Sequence, residues 1–154
     1  SCYRLVLCGS GSDHPAFQAK VTACLTADQM NRVVFRGPVA DVRPELARAS
    51  AYLLTSRYEG VPIGALEAWE AGLPVALPEI DGTADILSQH PLSAALSLTD
   101  PASDARQLDM MVSRYLTEQA AWQIRIKREW AAGYRFTDWA ERMRAKVSAI
   151  ISRC

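Results

Sequence analysis

The chain has 154 residues, of which 49% are hydrophobic and 22% charged, with 17 Lys and Arg balanced by 17 Asp and Glu. This length corresponds to about one domain, and an apolar chain without net charge excludes an intrinsically disordered protein. The neutral balance also argues against nucleic-acid binding, which usually requires a basic excess or patch. No apolar run approaches the ~18 residues of a membrane-spanning helix, so we expect a soluble chain.

The four cysteines predict reduced thiols rather than a metal site. None of Cys2, Cys8, Cys24 and Cys154 forms a Cys-x-x-Cys pair, and only two histidines could join them, so we expect no structural zinc. Cys8 and Cys24 lie in apolar runs, which is typical of small buried hydrophobic residues. A chain with this apolar fraction needs no disulfide, and we expect a cytoplasmic location.

Short apolar runs alternate with helical patterns over the first hundred residues. Continuous apolar runs of about five residues indicate strands buried on both faces, as in a parallel sheet. The alternation predicts an α/β fold, a Rossmann-like doubly wound parallel sheet of about five strands with ligands at the carboxyl ends of the strands. The predicted strands are 3–7, 32–35, 51–55, 74–77 and 94–98, and the predicted helices between them are 13–27, 41–49 and 62–71. Asp13 and Asp41 are the predicted helix caps.

After about residue 100 the pattern becomes helical throughout. Two long helices are predicted over 101–132 and 137–152, with Gly133 as the break, and we expect both to pack on the sheet. The whole chain, 1–154, is therefore predicted to form a single Rossmann-like domain. The apolar stripes of the two helices are Leu108, Met111, Val112, Tyr115 and Leu116, and then Trp139, Met143, Val147 and Ile150.

A glycine-rich segment, Gly9-Ser10-Gly11-Ser12-Asp13-His14, directly follows the first predicted strand. His14 replaces the third glycine of a dinucleotide-binding fingerprint, and no acidic residue follows the second strand, so an NAD site is not favoured. Two glycines at a strand end still allow backbone N–H groups to approach a ligand closely. An ordinary turn between strand and helix explains these residues equally well.

The segment 56–75 predicts a loop at the sheet edge followed by a helix. Glu59 lies in the loop, Pro62 opens the helix, and Gly72 stands where a left-handed C-cap is needed. The helix dipole and the unbonded N–H groups of the first turn suit a phosphate. These N–H groups belong to Val61, Ile63 and Gly64.

Glu67 lies eight residues after Glu59, about two turns further along the predicted helix. Its helical neighbours include no cation, so the helix offers it no ion pair. A carboxylate in this place suits a ligand with neighbouring hydroxyls, such as a ribose, because each oxygen accepts a hydrogen bond from one hydroxyl. On spacing alone, a solvent-facing glutamate explains the position equally well.

This pattern resembles the signature of retaining, nucleotide-sugar-dependent glycosyltransferases with two facing Rossmann-like domains, the GT-B architecture. That family carries two glutamates separated by seven residues, as Glu59 and Glu67 are. Segments 5–11, 33–39, 81–86 and 135–139 resemble further family motifs in the family's order, so the resemblance covers about residues 3–150. The central motif reads Glu59-Gly60-x-Pro62-x-x-x-Leu66-Glu67-Ala68-x-x-x-Gly72-x-Pro74-Val75.

The resemblance implies the C-terminal, donor-binding half of such an enzyme. Glu67 would bind the ribose diol, and Glu59, as the catalytic residue, the hydroxyls of the transferred sugar. Val61-Pro62 replaces the family's aromatic-Gly, which removes one N–H donor. The residues implied in donor binding are Gly9, Ser10, Gly11, Gly37, Pro38, Val39, Glu59, Gly60, Val61, Pro62, Ile63, Gly64 and Glu67.

The resemblance also implies the partners. The donor would be a nucleotide sugar such as a UDP- or GDP-sugar, with no metal and no further cofactor. The acceptor, a glycan or a lipid-linked glycan, would bind an N-terminal domain absent from this chain, so we expect the chain alone to be inactive. As is common in this family, we expect a role in polysaccharide or lipopolysaccharide assembly. We also expect the longer protein to associate peripherally with the membrane. A nucleotide-sugar 2-epimerase and a non-catalytic nucleotide-binding domain remain alternatives.

Overall fold

The computed structural model describes residues 3–133 together with residues 144 and 148. Apart from those last two residues, the predicted helix over 137–152 lies outside the described residues, as do the motif 135–139, Cys2 and Cys154. The chain forms two compact units, Ser1–Val42 and Arg43–Cys154. Each unit is described by itself below.

The first unit contains two parallel strands and two short helices. Strand β1 pairs with β2 in parallel, from Leu5 opposite Val33 to Cys8 opposite Gly37, with a register shift after Leu7. The predicted long helix over 13–27 is divided into α1 and α2. The elements are β1 (Leu5–Cys8), α1 (Pro15–Thr22), α2 (Ala27–Met30) and β2 (Val33–Gly37).

The caps explain why this helical segment is divided. The ring Nδ1 of His14 accepts from the Ala16 N–H, so His14 caps α1 and the predicted cap at Asp13 is wrong. Thr26 is the N-cap of α2. Its hydroxyl accepts from the Gln29 N–H, while the Gln29 side chain accepts from the Thr26 N–H. This reciprocal capping box begins a separate helix a few residues after the first one ends.

Burial in the first unit is lower than the apolar runs predict. Leu5 and Val6 of β1 are 40% and 38% exposed, and neither α1 nor α2 has a buried residue. Cys8 and Cys24 are also exposed, so the prediction that they are buried is wrong. Two short helices beside a two-stranded sheet offer little area to cover it, which explains these exposures.

The second unit contains a three-stranded parallel sheet in the order β3-β4-β5. All four residues of the central strand β4 are buried. With β1 and β2 in the first unit, all five strands pair in parallel, so the predicted α/β class is confirmed, although hydrogen bonding divides the strands between two sheets. The elements are α3 (Arg43–Leu46), β3 (Tyr52–Leu53), α4 (Ile63–Ala71), β4 (Val75–Pro78), α5 (Asp81–Gln89), β5 (Ser93–Leu96), α6 (Pro101–Thr117) and α7 (Gln119–Gly133).

Two features of the second unit differ from the sequence prediction. The segment over 81–89 is a helix, α5, which the sequence pattern did not indicate. The predicted helix over 101–132 is interrupted at Glu118, whose φ of −135° and ψ of 47° leave the helical region. Of the predicted α6 stripe, Met111, Val112 and Tyr115 are buried, whereas Leu116 is 47% exposed.

The core of the second unit centres on Trp69 in α4. Its indole Nε1–H donates to the Ile126 carbonyl of α7 at 3.2 Å, and its ring lies 4.8 Å from the His90 ring and 5.9 Å from that of Trp130. The α4 helix ends as predicted at Gly72, which adopts the left-handed C-cap conformation with φ of 86°. These contacts hold the C-terminal part of α4 against α7. None of the helices in the described part of the chain has both the length and the apolar composition needed to cross a bilayer.

Candidate functional site

In the first unit, the glycine loop and the turn after β2 are joined by direct hydrogen bonds. The Gly9 N–H donates to the Gly37 carbonyl at 2.9 Å, and the Gly37 N–H donates to the buried Ser12 hydroxyl at 2.9 Å. The Ser12 hydroxyl in turn donates to the carbonyl of Gly9 at 2.9 Å or of Leu7 at 3.1 Å. The two segments predicted to bind the nucleotide, 9–11 and 37–39, therefore meet at one place.

Glycine suits this junction better than a residue with a side chain. Its φ of +71° is strained for a residue with a side chain, and a Cβ here would lie 2.9 Å from the Asp13 carboxyl carbon. This conformation turns the chain at the end of β2, which leaves Pro38 and Val39 in the following loop. The main chain, rather than a side chain, is thus the feature of this unit that is held in place.

In the second unit, the start of α4 has backbone donors that bond to none of the described residues. Pro62 is the N-cap and provides no side-chain hydrogen bond to the helix. Within the described residues, the N–H groups of Val61, Ile63 and Gly64 donate to no other group. The positive end of the helix dipole and these unbonded N–H groups make the first turn suited to an anionic ligand.

The two glutamates predicted from the sequence flank this helix start. Glu59 is half-buried in the loop before α4, and Glu67 is exposed on the second turn of the helix. No ion pair or hydrogen bond within the described residues engages either carboxylate. Both groups are therefore available to hydroxyls of a ligand, and the exposure of Glu67 is equally that of a solvated helical glutamate.

Tyr52 is a further residue of this region that sequence reasoning missed. It lies on β3 beneath the start of α4, and burial raises the pKa of its phenol above the ordinary value, with smaller contributions from the negative charges of Glu59 and Glu67. The hydroxyl is therefore neutral and lies within electrostatic range of both carboxylates. The only signal in the sequence was a tyrosine in an otherwise apolar strand.

The start of α5, after β4, packs against the backbone of Glu59. Gly82 lies in the first turn of α5, and a Cβ at this position would collide with the backbone carbonyl of Glu59. The buried Thr83 hydroxyl fixes this turn by donating to the carbonyl of Pro78 or of Ile80. Segment 81–86 resembles a family motif in sequence. In the structure it is the start of a helix, and the Glu59 backbone packs against it.

An apolar groove lies elsewhere in the second unit, between α6 and the carboxyl ends of β3 and β5. Its lining is dominated by aliphatic side chains and contains none of the predicted binding residues, so it does not suit a diphosphate. In the part of the chain that the structure describes, no three His, Cys, Asp or Glu side chains gather as metal ligands would. The groove is lined by Leu53, Thr55, Leu96, Leu98, Pro101, Asp104, Ala105 and Leu108.

A parallel α/β fold with main-chain donors and carboxylates after its strands defines a ligand-binding domain of the Rossmann type. Residues 2–118 match the family described as "Glycosyl transferases group 1". The chain therefore belongs to this glycosyltransferase family. Among curated proteins, no sequence matches the chain.

Solved structures of glycosyltransferases share the fold. HepE from Anabaena in complex with UDP is 15% identical with a TM-score of 0.74, over 96% of this chain and 41% of its own. Sucrose-phosphate synthase from Thermosynechococcus elongatus is 19% identical with a TM-score of 0.70, over 98% and 39%. WaaG, a glycosyltransferase of lipopolysaccharide biosynthesis, is 22% identical with a TM-score of 0.60, over 86% and 34%. The chain thus spans about two fifths or less of these structures.

Proposed function

We propose that the chain is the donor-binding part of a retaining glycosyltransferase that transfers a sugar from a nucleoside diphosphate sugar to an acceptor hydroxyl. The observation that carries this proposal is the start of α4. Three N–H groups without partners among the described residues stand there between two carboxylates that are likewise unengaged. An anionic group flanked by hydroxyls, as in a nucleotide sugar, satisfies both kinds of group at once.

The second unit supplies the sugar and diphosphate contacts in this proposal. Glu67 accepts hydrogen bonds from the ribose diol, and Glu59 accepts them from hydroxyls of the transferred sugar. The backbone from Gly60 to Gly64 meets the sugar and the diphosphate, with Val61 and Ile63 as donors and Pro62 as the one position that lacks an N–H. Negative charge that develops on the leaving diphosphate is stabilised by the positive end of the α4 dipole.

The first unit supplies base recognition in this proposal. The main chain of Gly37, Pro38 and Val39 reads the base, and the loop Gly9, Ser10 and Gly11 approaches the ligand through its backbone. Support comes from the hydrogen bonds through Ser12 that hold the two segments together. HepE, which shares the fold, was solved with UDP and with UDP and glucose, which supports a uridine nucleotide ahead of a guanosine nucleotide.

We place the whole protein in polysaccharide or lipopolysaccharide assembly. WaaG, one of the fold relatives, acts in lipopolysaccharide biosynthesis, which supports this assignment. Retention of the anomeric configuration is proposed from the two-glutamate spacing. Sugar transfer itself is proposed for the longer parent protein, because the related structures are more than twice as long as the matched region.

Substitution of Glu67 tests the ribose assignment. Calorimetric titration of the chain with UDP, and separately with GDP, should show that Glu67→Ala weakens binding of the better nucleotide by about 1.5–3 kcal/mol, the range for hydrogen bonds to a charged group. Glu70→Ala is the matched control, since it removes the same charge from an exposed position of the same helix. Equal affinities of the two variants would contradict the ribose role and return Glu67 to a solvated glutamate.

A further inference from the structure

The second residue of α4 leaves a gap toward β3. A Cβ added to Gly64 would lie 2.5 Å from the Tyr52 Oη and 3.2 Å from its Cζ, closer than carbon contacts in proteins allow. Alanine, the strongest helix former, therefore does not fit here unless the tyrosine moves. Tyr52 and Gly64 are matched in size across the junction between strand and helix.

The hydroxyl of Tyr52 is not explained by packing alone. Within the described residues it forms no hydrogen bond, although the phenol is partly buried under the helix. Burial raises the pKa of the phenol above its ordinary value, and the negative charges of Glu59 and Glu67 add smaller contributions in the same direction. A phenylalanine would fill the same strand position without placing a polar atom under the helix start.

We infer that Tyr52 is a positioning residue of the donor site: its phenol fills the space that Gly64 leaves and thereby sets where the first turn of α4 lies. This inference rests on the proposed function, because it concerns the same turn and the same two glutamates. Tyr52 acts through Gly64 and is not itself placed in contact with the donor.

The consequence for binding follows from the geometry of hydrogen bonds. The N–H groups of Ile63 and Gly64 belong to the turn that rests on the phenol, and Glu67 lies on the next turn of the same helix. Hydrogen bonds to a phosphate weaken steeply as the donor moves out of range or alignment. A displacement of this turn therefore changes several ligand contacts together, whereas the remote end of α4 stays fixed by α7.

Comparison of the Gly64→Ala variant with the Tyr52→Phe, Gly64→Ala double variant tests the inference. In Gly64→Ala the new methyl group pushes the turn away from the phenol, and we expect affinity for UDP or GDP to fall about tenfold or more. Tyr52→Phe combined with Gly64→Ala removes the 2.5 Å contact and leaves the 3.2 Å contact with Cζ, which a shift of a few tenths of an ångström relieves. We therefore expect the double variant to recover most of the affinity.

Tyr115→Phe is the matched control. The Tyr115 hydroxyl lies 3.5 Å from the Gly72 carbonyl, at the opposite end of α4, and is buried. Its loss should lower the midpoint of thermal unfolding without changing nucleotide affinity measured well below that midpoint. Tyr52→Leu provides a second test if Gly64→Ala does not fold, because it empties the space under the turn without a clash and should also weaken binding.

The outcomes separate this inference from the proposed function. Wild-type affinity for UDP or GDP, lost in Glu67→Ala but unchanged in Gly64→Ala and Tyr52→Leu, would overturn the positioning role and leave the proposed function intact. Lower unfolding midpoints with unchanged affinity would also overturn it, because they show packing only. Absence of binding by the wild-type chain would count against both.

Discussion

Strands β1 and β4 are equally apolar in sequence, but they differ in how deeply they are buried. Leu-Val-Leu-Cys of β1 is largely exposed, whereas Val-Ala-Leu-Pro of β4 is buried at all four positions. In its own unit β1 pairs with β2, while β4 lies between β3 and β5 and is in contact with helices α4 and α5. An apolar run therefore predicts a strand, but its burial depends on neighbours that are distant in sequence.

The two units also hold their candidate binding groups by different means. In the first unit the main chain is fixed by one buried hydroxyl, that of Ser12, which links the glycine loop to Gly37. In the second unit the helix that bears Glu67 is held at its C-terminal part by the bond from Trp69 to α7. The comparison predicts that the same kind of substitution has unequal effects in the two units.

Matched leucine truncations should give the largest difference. Leu77→Ala in β4 removes a fully buried side chain and should lower the free energy of unfolding by about 3–4 kcal/mol. Leu5→Ala in β1 removes a side chain that is 40% exposed and should cost about 1–2 kcal/mol, because less apolar area returns to water and little cavity remains. Urea denaturation followed by circular dichroism measures both values. Similar losses would show that β1 is buried in solution.

The two histidines of the chain, one in each unit, should differ in their effect on how stability depends on pH. His90 in the second unit is buried, and burial lowers the pKa of its imidazole to about 4, against the smaller opposing effects of its bonds to Leu73 and Leu92. The imidazole of His90 binds a proton more readily in the unfolded chain than in the folded one. The contribution of neutral His90 to the free energy of unfolding is therefore complete above pH 6.5. It is lost as pH falls from about 6.5 to 4, by roughly 3 kcal/mol in total.

Denaturation at several pH values measures this loss. His90→Gln should flatten the pH dependence between 4 and 6.5, at the cost of lower stability at neutral pH. His14→Gln in the first unit, where the imidazole is an exposed helix cap, should leave the dependence in place because His90 remains. If the stability of His90→Gln still fell steeply between pH 6.5 and 4, the pH dependence would belong to other groups.

Substitution of Gly37 should have the smallest effect on stability. Gly37→Ala forces an L-residue to a φ of +71° and should cost about 1 kcal/mol. The nearby Asp13 carboxyl is exposed, and its flexible end can move away from the new methyl group. Gly133→Ala is the control, since no described residue lies within 4 Å of a Cβ there and its φ is not positive. Equal stability of the two variants would mean that the turn after β2 adapts freely.

The sequence was most informative where local chemistry decides the structure. Gly72 and Pro74 correctly predicted the end of α4, because a left-handed cap and a proline act within a few residues. The motif around Glu59 and Glu67 indicated a glycosyltransferase family, and the family match over 2–118 agrees with this. The roles of the individual site residues stay predictions.

Elsewhere the structure depends on tertiary contacts that no local pattern contains. Helix α5 has Gly82 in its first turn, which lowers helix propensity, and it is stabilised instead by the Thr83 hydroxyl and by burial of Ile86. Tyr52 reads as one more apolar strand residue until Gly64 of α4 is seen to lie against it. Size matching between two elements becomes visible only when both are placed.

The central position of β4 also bears on the order in which the chain folds. Val75 of β4 pairs with Ser93 and with Tyr52, partners 18 and 23 residues away, whereas Leu5 of β1 pairs with Val33 at a separation of 28. Closing a shorter loop costs less chain entropy, and local contacts speed folding. By loop-closure entropy alone, the β4–β5 pair with its intervening helix is the favoured place for the sheet to begin to form.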